Sequence, residues 1–184
     1  MQPGFVRIIA GKWRGRRLPV PAVDGLRPTP DRVRETLFNW LAPFIVDTNC
    51  LDLFAGTGAL GMEALSRGAK KVVLVDQSPI VVQKLKETLA MLQCVDGEVY
   101  CAELPTQLAP VTTPFNLVFL DPPYQSDLLF KTCDFLEKNH YLAQQALIYL
   151  EANALILDNQ LPSSWHIIKS QKAGNVFYHL AKRE

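Results

Sequence analysis

A glycine-rich turn between two apolar segments constrains the fold of this chain more than any other feature. In "NCLDLFAGTGALGMEALSRGAKKVVLVDQS" a strand pattern leads into the turn, a helical pattern follows and ends at Gly68, and a second strand pattern ends in an acid. A strand, a helix and a strand in this order predict a βαβ unit with parallel strands. The chain is therefore expected to fold as an α/β protein.

The segments after this unit continue the alternation. "SPIVVQKLKETLAMLQ" and "SDLLFKTCDFLEKN" have helical periodicity, whereas "GEVYCA", "FNLVFL" and "ALIYLE" are typical of short strands. The final "SWHIIKSQKAGNVFYHLAKR" contains two strand patterns joined by a short turn at Gly174 and Asn175, which indicates an antiparallel hairpin. We predict a mostly parallel sheet with one reversed strand near its edge.

Composition and length favour one globular domain. The 184 residues are 48% apolar and 20% charged, as is typical of a globular protein with a sizeable core. No apolar run is long enough to span a bilayer, and "MQPGFVRIIAGKWRGRR" lacks the apolar core of a signal peptide, so we expect a cytoplasmic protein. The four cysteines form no CxxC pair and the three histidines form no ligand-spaced cluster, which predicts reduced, mostly buried thiols and no metal.

Basic residues are concentrated at the N-terminus. Residues 1–40 contain eight Lys or Arg and three acids, a net charge of +5, whereas the other 144 residues contain 11 basic and 15 acidic side chains, a net charge of −4. A basic arm on a mildly acidic body suits a phosphate-rich partner. A solvated basic hairpin with no partner is the alternative.

A helix is predicted directly after this arm, in "LRPTPDRVRETLFNWLAPF". Thr29 can cap it, and Pro30 is suited to its first turn. Apolar side chains recur at helical spacing and predict one buried face, formed by Val33, Leu37, Trp40, Leu41 and Phe44.

The glycine turn also carries a ligand-binding pattern. Gly56, Gly58 and Gly61 match G-x-G-x-x-G between a strand and a helix, and Asp76 lies twenty residues beyond Gly56. The glycines let the backbone approach a ligand closely, and a carboxylate ending the second strand can accept both hydroxyls of a ribose. The pattern indicates a nucleoside-containing cofactor. A tight turn with an incidental acid is the alternative.

Asp52 bears on which nucleoside binds, because it lies inside an apolar strand where an unpaired carboxylate is costly to bury. S-adenosylmethionine has a ribose for Asp76 and an ammonium group that an acid near the first strand can hold. A dinucleotide would instead place a pyrophosphate at this point. The alternative remains open that Asp52 is a structural acid, which pairs with a backbone amide of the turn.

The strand in "FNLVFLDPPYQ" stops on an acid, two prolines and a tyrosine. Pro122 and Pro123 donate no backbone hydrogen bond, so they end the strand and stiffen the chain at the carboxyl edge of the sheet, where α/β proteins bind ligands. Asp121 would then be a hydrogen-bond acceptor on a rigid backbone segment, with the ring of Tyr124 beside it. The alternative is a proline-terminated strand with a surface acid and a half-buried tyrosine.

Taken together, the D-x-F-x-G-x-G loop, the acid ending the second strand, DPPY ending the fourth strand and the terminal hairpin resemble the class I S-adenosylmethionine-dependent methyltransferases. DPPY resembles the members that methylate exocyclic amino groups. "RIIAGKWRGRRLPVP" followed by "LRPTPDRVRETLFNWL" resembles the RsmD family, the 16S ribosomal RNA guanine-966 N2-methyltransferases, and the resemblance covers nearly the whole chain. It implies a Rossmann-like fold with a seven-stranded, mostly parallel sheet, in which a basic extension (1–45) packs on a methyltransferase domain (46–184).

The resemblance also implies roles for individual residues. The methionine part of S-adenosylmethionine would contact Asp52, Phe54, Gly56 and Gly58. Asp76 would hold the ribose, Gln77 would lie beside the adenine and Glu103 would lie near the adenine amine. At the catalytic site, the carboxylate of Asp121 and the carbonyl of Pro122 would accept the two amino hydrogens of the guanine. Pro123 would help to hold these acceptors still, and Tyr124 would stack on the base.

RNA contacts are predicted in two places. The arm supplies Arg7, Lys12, Arg14, Arg16 and Arg17, with Trp13 among the charges; the surroundings of the first helix supply Arg27, Arg32 and Arg34. Solvated arginines and a Trp13 that covers the core are the alternative. The expected partner is 16S ribosomal RNA within an assembled small subunit, and we expect a monomer.

Four other functions remain open at this point. A DNA adenine-amino methyltransferase would use the same DPPY chemistry, but such enzymes usually carry a target-recognition region for which this chain has little room. A small-molecule methyltransferase leaves the basic arm unexplained. An NAD-dependent dehydrogenase would also match the glycine pattern. A binding module without catalysis is disfavoured because the loop, the ribose acid and DPPY are all present.

Overall fold

A seven-stranded sheet forms the centre of the molecule. The structure is a computed structural model, and it describes residues 4–23, 26, 28–123 and 127–184. Its strands, in chain order, are β3 (Asn49–Leu53), β4 (Lys71–Asp76), β5 (Gly97–Cys101), β6 (Phe115–Leu120), β7 (Leu142–Ala152), β8 (Trp165–Ala173) and β9 (Val176–Arg183). The spatial order is β5-β4-β3-β6-β7-β9-β8, and β9 runs opposite to the other six strands. The predicted mostly parallel sheet with a C-terminal antiparallel hairpin is therefore confirmed.

Helices cover both faces of the sheet. These are α1 (Asp31–Leu41), α2 (Ala59–Ser66), α3 (Pro79–Met91) and α4 (Leu128–Lys138). Apolar side chains of α1, α2 and α3 share one core with one face of the sheet, and those of α4 share a second core with the other face. None of the helices in the described part of the chain combines the length and hydrophobicity needed to cross a bilayer.

The N-terminal segment forms a small antiparallel pair, β1 (Phe5–Arg7) and β2 (Arg17–Pro19). Val6, Ile8 and Leu18 are buried in the same core as α1 and α2. All eight residues of α2 are buried, because the sheet covers one side of this helix and the arm contacts another. The arm is therefore packed into the fold.

The first helix differs from its prediction in two respects. Val33, Leu37 and Leu41 are buried as expected, but Phe44 is 54% exposed and Trp40 is only half-buried. The helix ends at Leu41 and the chain turns, so Phe44 leaves the helical face, and Phe38 fills the core instead. Thr29 does not cap the helix, which begins at Asp31 with Pro30 in the N-cap position and no side-chain cap.

The sheet has a switch point beside β3. From β3 the chain moves outward through β4 to β5, and then returns to the other side of β3 to form β6. The loops that follow β3 and β6 therefore leave the carboxyl edge in opposite directions, which opens a crevice between them. The glycine turn follows β3, and Asp121 follows β6 directly.

Candidate active site

The glycine turn joins β3 to α2 through a backbone that ordinary residues rarely adopt. Phe54, Gly56 and Gly58 have φ values of 63°, 53° and 72°. Gly58 is also the N-cap of α2. A Cβ atom on Gly61 would lie 2.9 Å from Asp52 Oδ2, so a glycine at this position lets the helix pack against the strand. Gly56 and Gly58 are buried, and a Cβ atom on Gly56 would lie 2.9 Å from the Leu26 side chain, so the approach of a ligand to this backbone stays a prediction.

Asp76 ends β4 and is bound to the same turn. Its Oδ2 accepts a hydrogen bond from the Gly56 amide at 2.9 Å, and its Oδ1 accepts one from the Ser78 amide at 2.9 Å. A carboxylate oxygen can accept more than one hydrogen bond, so this bracing fixes the carboxylate without using up its acceptor capacity. The side chain is partly exposed at the edge of the sheet. Its geometry is compatible with holding a ribose.

Asp52 is only 3% exposed and accepts a hydrogen bond from the Gly61 amide at 2.9 Å. Burial, with a smaller contribution from the charge of Asp76, raises the pKa of Asp52 to about 8, while the Gly61 hydrogen bond opposes the shift. The structural pairing with a turn amide, which was one of the two interpretations of Asp52, is therefore present. Contact with the methionine part of a cofactor stays a prediction.

Two candidates for the adenine end lie at the neighbouring strand ends. Gln77 follows Asp76 and is exposed, and its carbonyl accepts a hydrogen bond from the Cys101 thiol at 3.4 Å. Glu103 lies two residues beyond β5 and is also exposed. Because Asp76 pairs with Cys101 in the sheet, both candidates lie at the same edge. Their contact with an adenine stays a prediction.

Asp121 directly follows β6, in the centre of the carboxyl edge. Leu120 pairs with Leu53 of β3 and with Leu150 of β7, so Asp121 lies between the start of the glycine turn and the end of β7. Burial raises the pKa of Asp121 well above its usual value, and the nearby charges of Glu151 and Asp52 raise it further. Pro122 is buried and Pro123 is exposed. Tyr124, the fourth predicted catalytic residue, lies outside the described residues.

Glu151 is the residue of this edge that the sequence interpretation missed. It lies near the end of β7, is 3% exposed, and its Oε2 accepts a hydrogen bond from the Tyr149 hydroxyl at 2.9 Å. The signal was present in the sequence, because "ALIYLE" is a buried strand pattern closed by an acid, as "KVVLVD" and "FNLVFLD" are. Only the sheet order shows that these strand ends are neighbours.

Four acids lie on one face of the sheet, at or near the ends of adjacent strands. Cys50, Leu74, Phe119 and Tyr149 belong to the core under α1, α2 and α3. Alternation along a strand places the residues two positions later on that same face. These residues are Asp52, Asp76, Asp121 and Glu151, on four adjacent strands. A cationic ligand would stabilise the ionised forms of these acids, so the face suits such a ligand.

The predicted RNA-binding residues of the arm are exposed. They are Arg7, Lys12, Arg14, Arg16 and Arg17. Lys12 Nζ lies 4.2 Å from the centroid of the Trp13 ring, and the Arg17 guanidinium lies 4.3 Å from that of the Phe5 ring. Trp13 is half-buried and packs against the core, as its alternative interpretation required. The arm presents both cations and aromatic rings at its surface.

The structure corrects the prediction that Arg34 contacts RNA. Its side chain is 0% exposed, its Nη2 donates to the Arg7 carbonyl at 2.9 Å and to Asp31 at 2.6 Å, and its Nη1 lies 3.7 Å from Glu63. A guanidinium committed to these partners inside the protein is not available to a phosphate. Arg32 is exposed, and Arg27 lies outside the described residues.

Glu63 binds the arm to α2. Its carboxylate accepts hydrogen bonds from the amides of Ile9 at 2.8 Å and Ala10 at 3.0 Å, and from Arg67 Nε at 2.7 Å. Ser66, at the end of the same helix, donates to the Ala10 carbonyl at 2.6 Å. Since α2 starts at the glycine turn, one helix supports both the candidate cofactor site and the arm.

The four cysteines are free thiols. Cys50 and Cys133 are buried, Cys94 is intermediate and Cys101 is exposed, so the expectation of mostly buried thiols holds for two of the four. In the residues that the structure describes, no group of three or more His, Cys, Asp or Glu side chains could hold a metal ion.

Comparisons with known proteins agree with this architecture. The family model described as "Conserved hypothetical protein 95" matches residues 6–182. The chain is 50% identical over 181 residues to "Ribosomal RNA small subunit methyltransferase D" of Escherichia coli (strain K12), covering 98% of this chain and 91% of that protein. It is 46% identical to the protein of the same name from Haemophilus influenzae, covering 96% and 93%.

A solved structure shows the same fold. The Escherichia coli protein yhhF has a TM-score of 0.89 and 49% sequence identity, with coverage of 98% of this chain and 99% of that chain. The Rossmann-like class I methyltransferase fold that the resemblance implied is thereby confirmed. The chain belongs to the family described as Conserved hypothetical protein 95, the RsmD family, together with the ribosomal RNA small subunit methyltransferase D proteins.

Proposed function

We propose that this chain transfers a methyl group from S-adenosylmethionine to the exocyclic N2 amine of a guanine in 16S ribosomal RNA, within an assembled small subunit. The observation that carries the proposal is the position of Asp121. It follows a buried strand at the switch point, is held by two prolines, and lies beside the strand that leads into the glycine turn. An acceptor for the substrate and a site for the cofactor are thus adjacent.

The charge of the site supports S-adenosylmethionine over a dinucleotide. Asp52 and Asp76, which lie at the glycine turn, suit the sulfonium and ammonium groups of S-adenosylmethionine, because a cation stabilises the ionised form of an acid, and they disfavour a pyrophosphate. The residues also fit the rest of the molecule. Asp76 offers a fixed carboxylate for the ribose, and the turn from Phe54 to Gly58 offers close backbone approach for the methionine part. Gln77 and Glu103 would contact the adenine.

The chain contributes orientation and charge to the reaction. S-adenosylmethionine supplies an already activated methyl group, so no covalent enzyme intermediate is needed. The amine of guanine is a poor nucleophile because its lone pair is delocalised into the ring. The Asp121 carboxylate and the Pro122 carbonyl would accept the two amino hydrogens and turn the lone pair toward the methyl group. Pro123 would stiffen this backbone segment, and Tyr124 would stack on the base.

The raised pKa of Asp121 has a chemical use in this scheme. The methylated amine must lose one proton, and a carboxylate with a pKa above its usual value accepts a proton more readily near neutral pH. The reaction would require the ionised form of Asp121. Activity would therefore be present above the pKa of Asp121 and would be lost as the pH falls through it.

The exposed arm would supply the RNA contacts. Five cations and two aromatic rings at one surface suit a phosphate backbone with an unpaired base. The RNA substrate class is further supported by the name of the Escherichia coli relative, which is 50% identical over nearly the whole chain.

Two measurements test the proposal. Titration calorimetry should show that S-adenosylmethionine binds and that NAD does not; the reverse result would assign the site to a dehydrogenase. Incubation with labelled S-adenosylmethionine and small subunits that lack the modification should transfer the label to RNA. Transfer to DNA adenine in preference to RNA would favour the DNA methyltransferase alternative.

A further inference from the structure

Glu151 lies beside Asp121 on the neighbouring strand. Leu120 and Leu150 are paired in the parallel register of β6 and β7, so the residues that follow them, Asp121 and Glu151, are adjacent at the carboxyl edge. Both side chains are on the sheet face that packs under α1. Glu151 is almost completely buried and lies one residue before the end of β7, where this strand pairs with β9.

Acidic and phenolic groups of the described residues face this pair. From β3, Asp52 faces Asp121, and its charge acts on Asp121. From β7, the Tyr149 hydroxyl donates to Glu151 at 2.9 Å. From β9, Tyr178 is the cross-strand partner of Glu151, and its hydroxyl contacts Gln171 at 2.7 Å. Two neighbouring carboxylates in such surroundings repel each other when both are ionised, and a shared proton relieves the repulsion.

We propose that Glu151 is a positioning residue for methyl transfer, which acts through Asp121 by holding its carboxylate toward the substrate and by sharing the proton that Asp121 takes from the guanine amine. This inference rests on the proposed function of Asp121. The bond between N2 and the methyl carbon forms as the bond between that carbon and the sulfonium sulfur breaks, and the sulfur keeps the electron pair. N2 then gives one proton to the Asp121 carboxylate, and the protonated pair later releases it to water.

The proposal predicts the pH dependence of a conservative variant. Glu151→Gln keeps the size of the side chain and an oxygen that can accept the Tyr149 hydrogen bond, but it removes the charge that acts on Asp121. The pKa of Asp121 should fall toward its ordinary value, because one cause of its elevation is lost. The acidic limb of kcat/KM should therefore move to lower pH.

Three companion variants make this test specific. Glu98→Gln removes an exposed acid from β5, where Glu98 pairs with Lys71 at 2.8 Å on the surface, and should behave as the parent protein does. Glu151→Asp keeps a charge beside Asp121 and should keep the acidic limb near its original pH. Asp121→Asn, measured in parallel, reports on the proposed function itself. Thermal unfolding and S-adenosylmethionine affinity check that each variant is folded.

The outcomes distinguish the role of Glu151 from the proposed function of Asp121. A downward shift of the acidic limb in Glu151→Gln, with little change in KM for the RNA, supports the role of Glu151. An unshifted limb contradicts that role, whether or not kcat falls, and leaves Glu151 as a structural acid. If Asp121→Asn keeps the turnover of the parent protein, the proposed function of Asp121 fails first. If Asp121→Asn is inactive while the limb in Glu151→Gln is unshifted, only the inference about Glu151 is wrong.

Discussion

Replacing Glu63 with alanine is expected to detach the N-terminal arm and to destabilise the whole fold. Glu63 is 0% exposed and is the shared acceptor for the amides of Ile9 and Ala10 and for Arg67, while Arg34 lies 3.7 Å away with no exposure of its own. Removing one partner of a buried ion pair costs about 3–5 kcal/mol, and without Glu63 the buried Arg34 would keep only the exposed Asp31 as a countercharge. In a protein of this size that corresponds to a decrease in Tm of roughly 6–20 °C.

Urea unfolding of Glu63→Ala measures this effect directly. Tryptophan fluorescence, to which the half-buried Trp13 on the arm, Trp40 and Trp165 contribute, should change at lower urea concentration than in the parent protein. Glu98→Ala is the matched control, since its ion pair with Lys71 is exposed and should contribute less than about 1 kcal/mol. If the free energies of unfolding of the two variants agree to within about 1 kcal/mol, the arm is not anchored through Glu63 and the argument from burial is wrong.

Three further predictions concern the cofactor, the chemistry and the RNA. Asp76→Ala should weaken S-adenosylmethionine binding by roughly 100-fold or more in calorimetry, because it removes two charge-assisted hydrogen bonds of about 1.5–3 kcal/mol each; unchanged affinity would exclude Asp76 from the site. Asp121→Ala should reduce methyl transfer by roughly 100-fold or more while cofactor affinity changes little, and near-parental turnover would refute the role of its carboxylate. Neutralising Arg14, Arg16 and Arg17 together should weaken RNA binding and reduce the slope of log K against log salt by up to about 2, with cofactor affinity preserved. An unchanged slope would mean that these side chains are only solvated.

Features with a local signal were predictable from the sequence. The strand before the glycine turn, the acid that ends β4 and the acid that follows β6 depend on neighbours within a few residues, and the structure places Asp76 and Asp121 as expected. The hairpin at the end of the chain has an equally local signal, because its turn contains Gly174. The sheet class followed from the order of these segments.

Features that depend on distant partners were not predictable in this way. Arg34 was predicted to contact RNA, but its partner Glu63 lies in another helix, and no pattern around Arg34 identifies it. Glu151 looks like an ordinary strand end until the sheet order places it beside Asp121. Phe44 was assigned to the buried face of α1, but the helix ends three residues earlier. In each case the missing information was tertiary contact or a helix boundary.

Mapping the methylated nucleotide tests the central claim most directly. Small subunits that lack the modification would be incubated with the protein and labelled S-adenosylmethionine, and the labelled RNA would be digested and sequenced by mass spectrometry. The account predicts one labelled guanine carrying the methyl group on N2, with the label lost in Asp121→Ala. Label on an adenine amine, label spread over many positions, or label that persists in Asp121→Ala would contradict it.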